Sequence, residues 1–131
     1  AYLAAERALD VDIQRLDTVY AELCAAYDGN DAQACIDKDV AFHQAIALAC
    51  GNSVLLDTVQ RYWQARNGPL FERLGDYFEH PASWQAAISE HQQVLQAIEA
   101  HDPSAARKTM QKHLRQAYKR YSASWRRAPA R

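Results

Sequence analysis

The residues of this sequence best suited to chemistry are one aspartate and three histidines that interrupt apolar helical patterns. Asp39 and His43 stand four residues apart, a spacing that places both side chains on one helical face, one turn apart. His91 and His113 occupy comparable positions in two later apolar stripes. Because burying an unpaired polar group costs about 1–3 kcal/mol, these four residues need partners in the core.

Three imidazoles and one carboxylate from three helices can provide the ligands of a divalent transition metal. Nitrogen and oxygen donors without thiolate suit Zn²⁺, Ni²⁺, Mn²⁺ or Fe²⁺. A hydrogen-bonded polar network in the core would satisfy the same four residues without any metal. Periodicity alone leaves both interpretations open.

Two arginines extend this set, because a guanidinium that points inward needs an anion. Arg66 continues the apolar stripe of its helix, and Arg120 follows His113 by seven residues on the same face. Both are candidate ligand-binding residues for a carboxylate. The alternatives are that Arg66 reaches solvent and that Arg120 pairs with an acidic neighbour.

The elements that must position these residues are helices, since no strand-like alternation occurs anywhere in the sequence. One domain of 131 residues with only four glycines and four prolines predicts an all-α antiparallel bundle of six to seven helices. Turn and cap residues divide the helices, and an apolar periodicity resumes over 70–78. The dividing segments are Asp10, Asp28-Gly29-Asn30-Asp31, Gly51-Asn52, Asn67-Gly68-Pro69, His80-Pro81 and Asp102-Pro103.

The bulk composition limits the choice of partners and of compartment. A formal charge of −1 argues against holding DNA or an anionic membrane by electrostatics alone. Neither a signal peptide nor a bilayer-spanning apolar run is evident. Three cysteines in helical apolar patterns indicate reduced thiols in a cytoplasmic protein. His80 and His101, at helix ends, are predicted surface residues.

Three blocks of this sequence resemble the FCD domain, the C-terminal effector-binding domain of the FadR subfamily of GntR transcriptional regulators. The blocks are Asp39-x-x-Phe42-His43-x-x-Ile46-x-x-Ala49-x-Gly51-Asn52, Glu90-His91-x-x-Val94-Leu95-x-Ala97-Ile98 and Asp102-x-x-x-Ala106-x-x-x-Met110-x-x-His113-Leu114. The resemblance implies a metal bound by Asp39, His43, His91 and His113. It also implies a small organic acid as effector, a homodimer, and control of an N-terminal winged helix-turn-helix that binds operator DNA.

The sequence departs from that family in two respects. It contains no winged helix-turn-helix, and its first helix looks truncated, so residues 1–131 correspond to an FCD-like effector-binding and dimerisation domain. The ligand-contacting arginine that members often carry on the first helix has only Arg7 as a counterpart. The segment 63–70 is similar to one in hexuronate-type regulators, which suggests a sugar acid as the effector.

The leading hypothesis is therefore a metal-dependent carboxylate sensor that is not an enzyme. It would bind operator DNA only through the absent N-terminal domain. A helical metalloenzyme would need a general base beside the metal. Glu90 adjoins His91 but projects about 100° away around the helix, which makes it a poor base. A third interpretation is a ligand-free dimerisation module in which the four polar residues form a core network.

Overall fold

Six helices make up the part of the chain that the computed structural model describes, residues 1–65 and 80–127, with side chains described as far as Ala123. They are α1 (Tyr2–Arg7), α2 (Asp10–Asp28), α3 (Ala32–Ala49), α4 (Ser53–Gln64), α5 (Pro81–Glu99) and α6 (Pro103–Arg127). The all-α prediction is confirmed. The predicted break at 67–69 and the periodic segment 70–78 lie outside the described residues.

Most helix ends lie where the turn chemistry predicts them. Asp31, Asn52 and Asp102 each accept a backbone N–H from the first turn of the following helix, at 2.9, 3.0 and 2.9 Å. Gly51 has a φ of +62°, a left-handed conformation that glycine adopts without steric cost and that ends α3.

The start of α2 differs from the prediction by one residue. Asp10 is the first helical residue and Leu9 is the N-cap. The carboxylate of Asp12 accepts the backbone N–H of Leu9 at 3.1 Å. An acidic side chain in the first turn thus satisfies the backbone N–H of the N-cap residue, and Asp10 itself is not the cap.

Two antiparallel helix pairs form the body of the bundle. α2 packs along α3 and α5 along α6, while α2 also contacts α5. Connections of only three residues, 29–31 and 100–102, make the two helices of each pair antiparallel neighbours. The main core cluster contains side chains of α1, α2, α3, α5 and α6. It is centred on Leu16, Phe42, Val94 and Ile98, each fully buried.

A second, smaller core cluster lies around Leu23, Cys35 and Trp84. Cys24, Cys35 and Cys50 are all free thiols, and the last two are buried. No helix among the described residues is both long enough and apolar enough to cross a membrane. Among the described residues, the buried polar side chains are those of Asp39, His91 and His113, which belong to α3, α5 and α6.

Candidate metal centre

The structure brings the three predicted histidines together at the meeting point of α3, α5 and α6. One ring nitrogen from each of His43, His91 and His113 lies within 4.8 Å of the other two. The rings of His91 and His113 are 4.5 Å apart between centroids, and those of His43 and His113 are stacked at 5.4 Å. Convergence of the three stripes, which periodicity could not establish, is therefore a property of the fold.

Asp39 completes the group from the turn of α3 that precedes His43. Its Oδ1 lies 3.3 Å from Nε2 of His91 and 3.8 Å from Nε2 of His43. Asp39 is buried with a relative exposure of 7 %. The i, i+4 spacing read from the sequence thus places carboxylate and imidazole on the same inward face.

His91 is the most deeply buried member of the group, with no exposed surface. Neither of its ring nitrogens makes a hydrogen bond to any residue in the described part of the chain. The 3.3 Å contact with Asp39 therefore lacks hydrogen-bond alignment, although the two atoms are close enough for attraction. A buried imidazole with two unsatisfied nitrogens is rare and calls for an explanation.

The electrostatic surroundings keep His91 neutral. Burial, reinforced by the nearby rings of His43 and His113 and by the charge of Arg120, lowers the pKa of His91 well below its ordinary value. Neutral imidazole is the form that binds metal ions, because the lone pair must be free. The same burial that makes His91 costly as a bare polar residue thus prepares it as a ligand.

The donor set and the unsatisfied nitrogens of His91 fit a bound transition metal. Three imidazoles whose ring nitrogens lie within 4.8 Å of one another, with the Asp39 carboxylate 3.3 Å from His91 and 3.8 Å from His43, match the nitrogen and oxygen donors that such ions prefer. Phe42 packs against His91 with ring centroids 4.7 Å apart. This apolar contact limits water access to the buried imidazole.

Glu90 is the residue of the site that sequence reasoning missed. Its Oε2 lies 2.8 Å from Nδ1 of His113. Its projection away from His91 around α5 made Glu90 a poor candidate for a general base, and the sequence predicted no other role for it; in the structure the side chain reaches α6. The contact between Glu90 and His113 can be recognised only when the packing of α5 on α6 is known.

Arg120 binds the same carboxylate from one side. Its Nη1 and Nη2 donate to Oε1 and Oε2 of Glu90 at 2.6 and 2.7 Å. Burial would raise the pKa of Glu90, but hydrogen bonds from Arg120 and His113 lower it to about 2. The pairing of Arg120 with an acidic neighbour, one of the two alternatives left open by the sequence, is present.

The remaining predicted residues lie outside this centre. Arg66 is outside the described residues. His80 and His101 are exposed, as predicted, and Nδ1 of His101 lies 3.0 Å from the carbonyl oxygen of Ala5. Arg7, the counterpart considered for the family's first-helix arginine, donates to the carbonyl oxygen of Cys50 at 3.1 Å.

Trp63 is a further aromatic neighbour that the stripe argument did not connect with the site. Its ring stacks on that of His43, with centroids 5.0 Å apart and planes 29° from parallel. Trp63 belongs to α4, which contributes no fully buried residue to the core. The last turn of α4 therefore covers the His43 side of the histidine group.

The fold is an all-α bundle with a buried polar centre, and comparison with known proteins identifies its family. Residues 1–116 match the model of the FCD domain. The chain belongs to the FCD family of GntR-type transcriptional regulators, as the three motif blocks predicted.

Several bacterial regulators resemble this chain. The Uxu operon transcriptional regulator of Escherichia coli is 34 % identical over 77 residues, covering 58 % of this chain and 30 % of that protein. The putative L-lactate dehydrogenase operon regulatory protein of the same species is 32 % identical over 115 residues, covering 87 % and 43 %. The chain thus spans less than half the length of these relatives. Their names describe regulators, so the alternative of a helical metalloenzyme has no support among them.

A solved structure confirms the fold independently of close sequence similarity. The structure of E. coli McbR/YncC superimposes with a TM-score of 0.82 at 22 % identity, covering 95 % of this chain and 57 % of that one. At this identity the likeness establishes the helical architecture alone.

Proposed function

We propose that this chain is the sensor domain of a transcriptional regulator, which binds a divalent transition metal and a small carboxylate effector. Asp39, His43, His91 and His113 would hold the metal, which is Zn²⁺, Ni²⁺, Mn²⁺ or Fe²⁺. When bound, the metal would supply a positively charged Lewis acid for an effector carboxylate. The observation that carries the proposal is the fully buried His91, whose nitrogens have no hydrogen-bond partner among the described residues and lie beside two further imidazoles.

The competing explanation, a hydrogen-bonded core network, fits the site less well. Such a network would satisfy the buried imidazole, since leaving it unpaired costs about 1–3 kcal/mol. His91 instead lacks hydrogen bonds within the described chain despite an oxygen 3.3 Å away. A metal would coordinate one of the two unpartnered nitrogens of His91 and so offset part of that cost on binding.

The effector is a small organic acid of the sugar-acid or hydroxy-acid class. One relative is named for an L-lactate dehydrogenase operon, and segment 63–70 resembles hexuronate-type regulators. Arg66 and Arg120 are the proposed contacts for the carboxylate. A guanidinium has five N–H donors, so Arg120 can contact an acid while two of its N–H groups remain on Glu90.

The signal would pass to DNA through an N-terminal winged helix-turn-helix, in a cytoplasmic homodimer. An effector that binds between α3, α5 and α6 favours whichever packing of these helices gives it the better site. The resulting shift in helix packing would alter the placement of attached DNA-binding domains. The near-neutral charge of this chain agrees with a division of labour in which another domain contacts the operator.

Calorimetry tests the proposal. The metal-loaded chain is titrated with a panel of sugar acids and hydroxy acids, lactate included, beside the His91→Ala variant. We expect one acid to bind the wild type and to lose its binding in the variant and in chelator-treated wild type. Unchanged acid binding in the folded variant would contradict a metal-bridged effector site.

A further inference from the structure

Glu90 and Arg120 form a polar pair next to the proposed ligands, and the metal set itself does not use it. Glu90 immediately precedes His91 on α5, whereas Arg120 lies two turns after His113 on α6. The carboxylate receives Nη1 and Nη2 of Arg120 on its two oxygens, and Nδ1 of His113 on Oε2. The side chains of the pair are 12 % and 19 % exposed, so water competes little for these contacts.

We propose that Glu90, held in place by Arg120, is a positioning residue that keeps the proton of His113 on Nδ1 and so reserves Nε2 of His113 for the metal. This inference rests on the proposed function, because it assigns a role to residues around the same metal centre. It adds a residue and a tautomer to the site, neither of which the four-ligand set specifies.

The hydrogen bonds determine where the proton of His113 lies. A carboxylate that accepts two N–H groups from a guanidinium is ionised, and an ionised carboxylate can only accept hydrogen bonds. Nδ1 of His113, 2.8 Å from Oε2, must therefore be the donor. A neutral imidazole has a single N–H, so its Nε2 carries the free lone pair.

The role of Arg120 is to hold the carboxylate of Glu90 in place, and not to contact His113 itself. Two-point binding of Glu90 leaves the carboxylate little rotational freedom, so Oε2 stays in line with Nδ1. α5 in this way supplies one proposed ligand, His91, and the group that orients another, His113 on α6. Partners of this kind typically change metal affinity 10- to 100-fold when removed.

Nitrogen-15 NMR of the histidine rings determines the tautomer of His113 in the absence of metal. The sample is the chelator-treated 131-residue chain. His113 is assigned by its loss in a His113→Gln variant. We expect wild-type His113 to show a protonated Nδ1 and an unprotonated Nε2, and Glu90→Ala to show the mixture of an unconstrained imidazole. Arg115→Gln, an exposed change on the same helix, should leave the wild-type pattern intact.

Zinc affinity, measured by competition with a chromophoric chelator, is the second measurement. We expect Glu90→Ala to weaken Zn²⁺ binding about 10- to 100-fold, Arg120→Ala to weaken it less, and Glu90→Gln, which keeps an acceptor oxygen, to recover part of the loss. Wild-type His113 protonated on Nε2, or a folded Glu90→Ala variant with unchanged tautomer or unchanged affinity, would overturn the inference.

The two measurements separate this inference from the proposed function. A wild type that binds no Zn²⁺ but shows the Nδ1–H tautomer would refute a Zn²⁺ centre and leave the orientation of His113 by Glu90 in place. A wild type that binds Zn²⁺ with His113 in the other tautomer would refute the positioning role alone. Should Glu90→Ala fail to fold, the wild-type tautomer still decides, because it needs no variant.

Discussion

Nε2 of His91 lies 3.3 Å from Oδ1 of Asp39, and yet His91 makes no hydrogen bond within the described chain. The two side chains come from different helices, α5 and α3, and both are buried. The imidazole of His91, with its nitrogen lone pair, and the carboxylate of Asp39 therefore lie close together in the core. A cation placed among these residues would turn an unfavourable arrangement into a favourable one.

Replacing His91 by leucine should separate the stability of the metal-free fold from metal binding. Removing a buried imidazole that lacks partners should leave the free energy of unfolding in chelator unchanged or raise it by up to about 2 kcal/mol. Adding Zn²⁺ at about 100 times its dissociation constant should stabilise the wild type by about 2.7 kcal/mol and the variant by almost nothing. Urea unfolding with and without Zn²⁺ measures both effects.

His80→Gln is the matched control, since His80 is exposed at the start of α5. It should respond to Zn²⁺ as the wild type does. Equal stabilisation of the His91→Leu variant by Zn²⁺ would show that the metal binds elsewhere.

The metal-free chain should lose stability as the pH falls below about 6.5, the ordinary pKa of histidine. The folded chain holds His91 neutral because burial lowers its pKa, whereas the unfolded chain takes up the proton. The unfolded state thus binds more protons, and stability rises with pH in this range by up to about 1.4 kcal/mol per unit. Urea unfolding between pH 5 and 7.5 in chelator should show that the free energy of unfolding rises less steeply with pH in His91→Leu than in the wild type. Identical slopes would refute the assignment of this pH dependence to His91.

Trp63 should report metal binding by fluorescence, because its ring stacks on His43 at 5.0 Å. Ni²⁺ bound at the centre should quench the emission of the wild type. Trp63→Phe should remove most of that change, whereas Trp84→Phe, in the second core cluster, should retain it. Equal quenching in both variants would indicate that Ni²⁺ binds away from His43.

Phe42 should be a major support of both the core and the centre. It is fully buried, and its ring contacts His91 at 4.7 Å between centroids. Phe42→Ala should cost about 3–5 kcal/mol of unfolding free energy, since it removes buried surface and opens a cavity. Leu48→Ala on the exposed side of the same helix, where Leu48 is 44 % exposed, should change stability by about 0.5 kcal/mol or less. Comparable losses in the two variants would argue against this role for Phe42.

The sequence predicts the helices and the inward residues well because both depend on local spacing. The i, i+4 relation of Asp39 and His43 follows from helix geometry, and the caps at Asp31, Asn52 and Asp102 follow from short polar side chains before apolar runs. Each of these predictions requires only residues within a few turns of one another.

Contacts between helices cannot be predicted from the spacing of residues within one helix. Glu90 lies on a different face of α5 from His91, and only the position of α6 brings His113 and Arg120 against it. The stacking of Trp63 on His43 likewise depends on how α4 returns along α3. The motif blocks named the proposed ligands and contained Glu90, but they assigned Glu90 no contact with His113 or Arg120.

The metal content of the chain tests the central claim most directly. The protein is purified without a metal-affinity tag and measured by inductively coupled plasma mass spectrometry, before and after EDTA treatment, beside His91→Ala. The account predicts about one equivalent of a single transition metal per chain, removed by EDTA and largely absent from the variant. Less than about half an equivalent, unchanged by EDTA and equal in the variant, would contradict it.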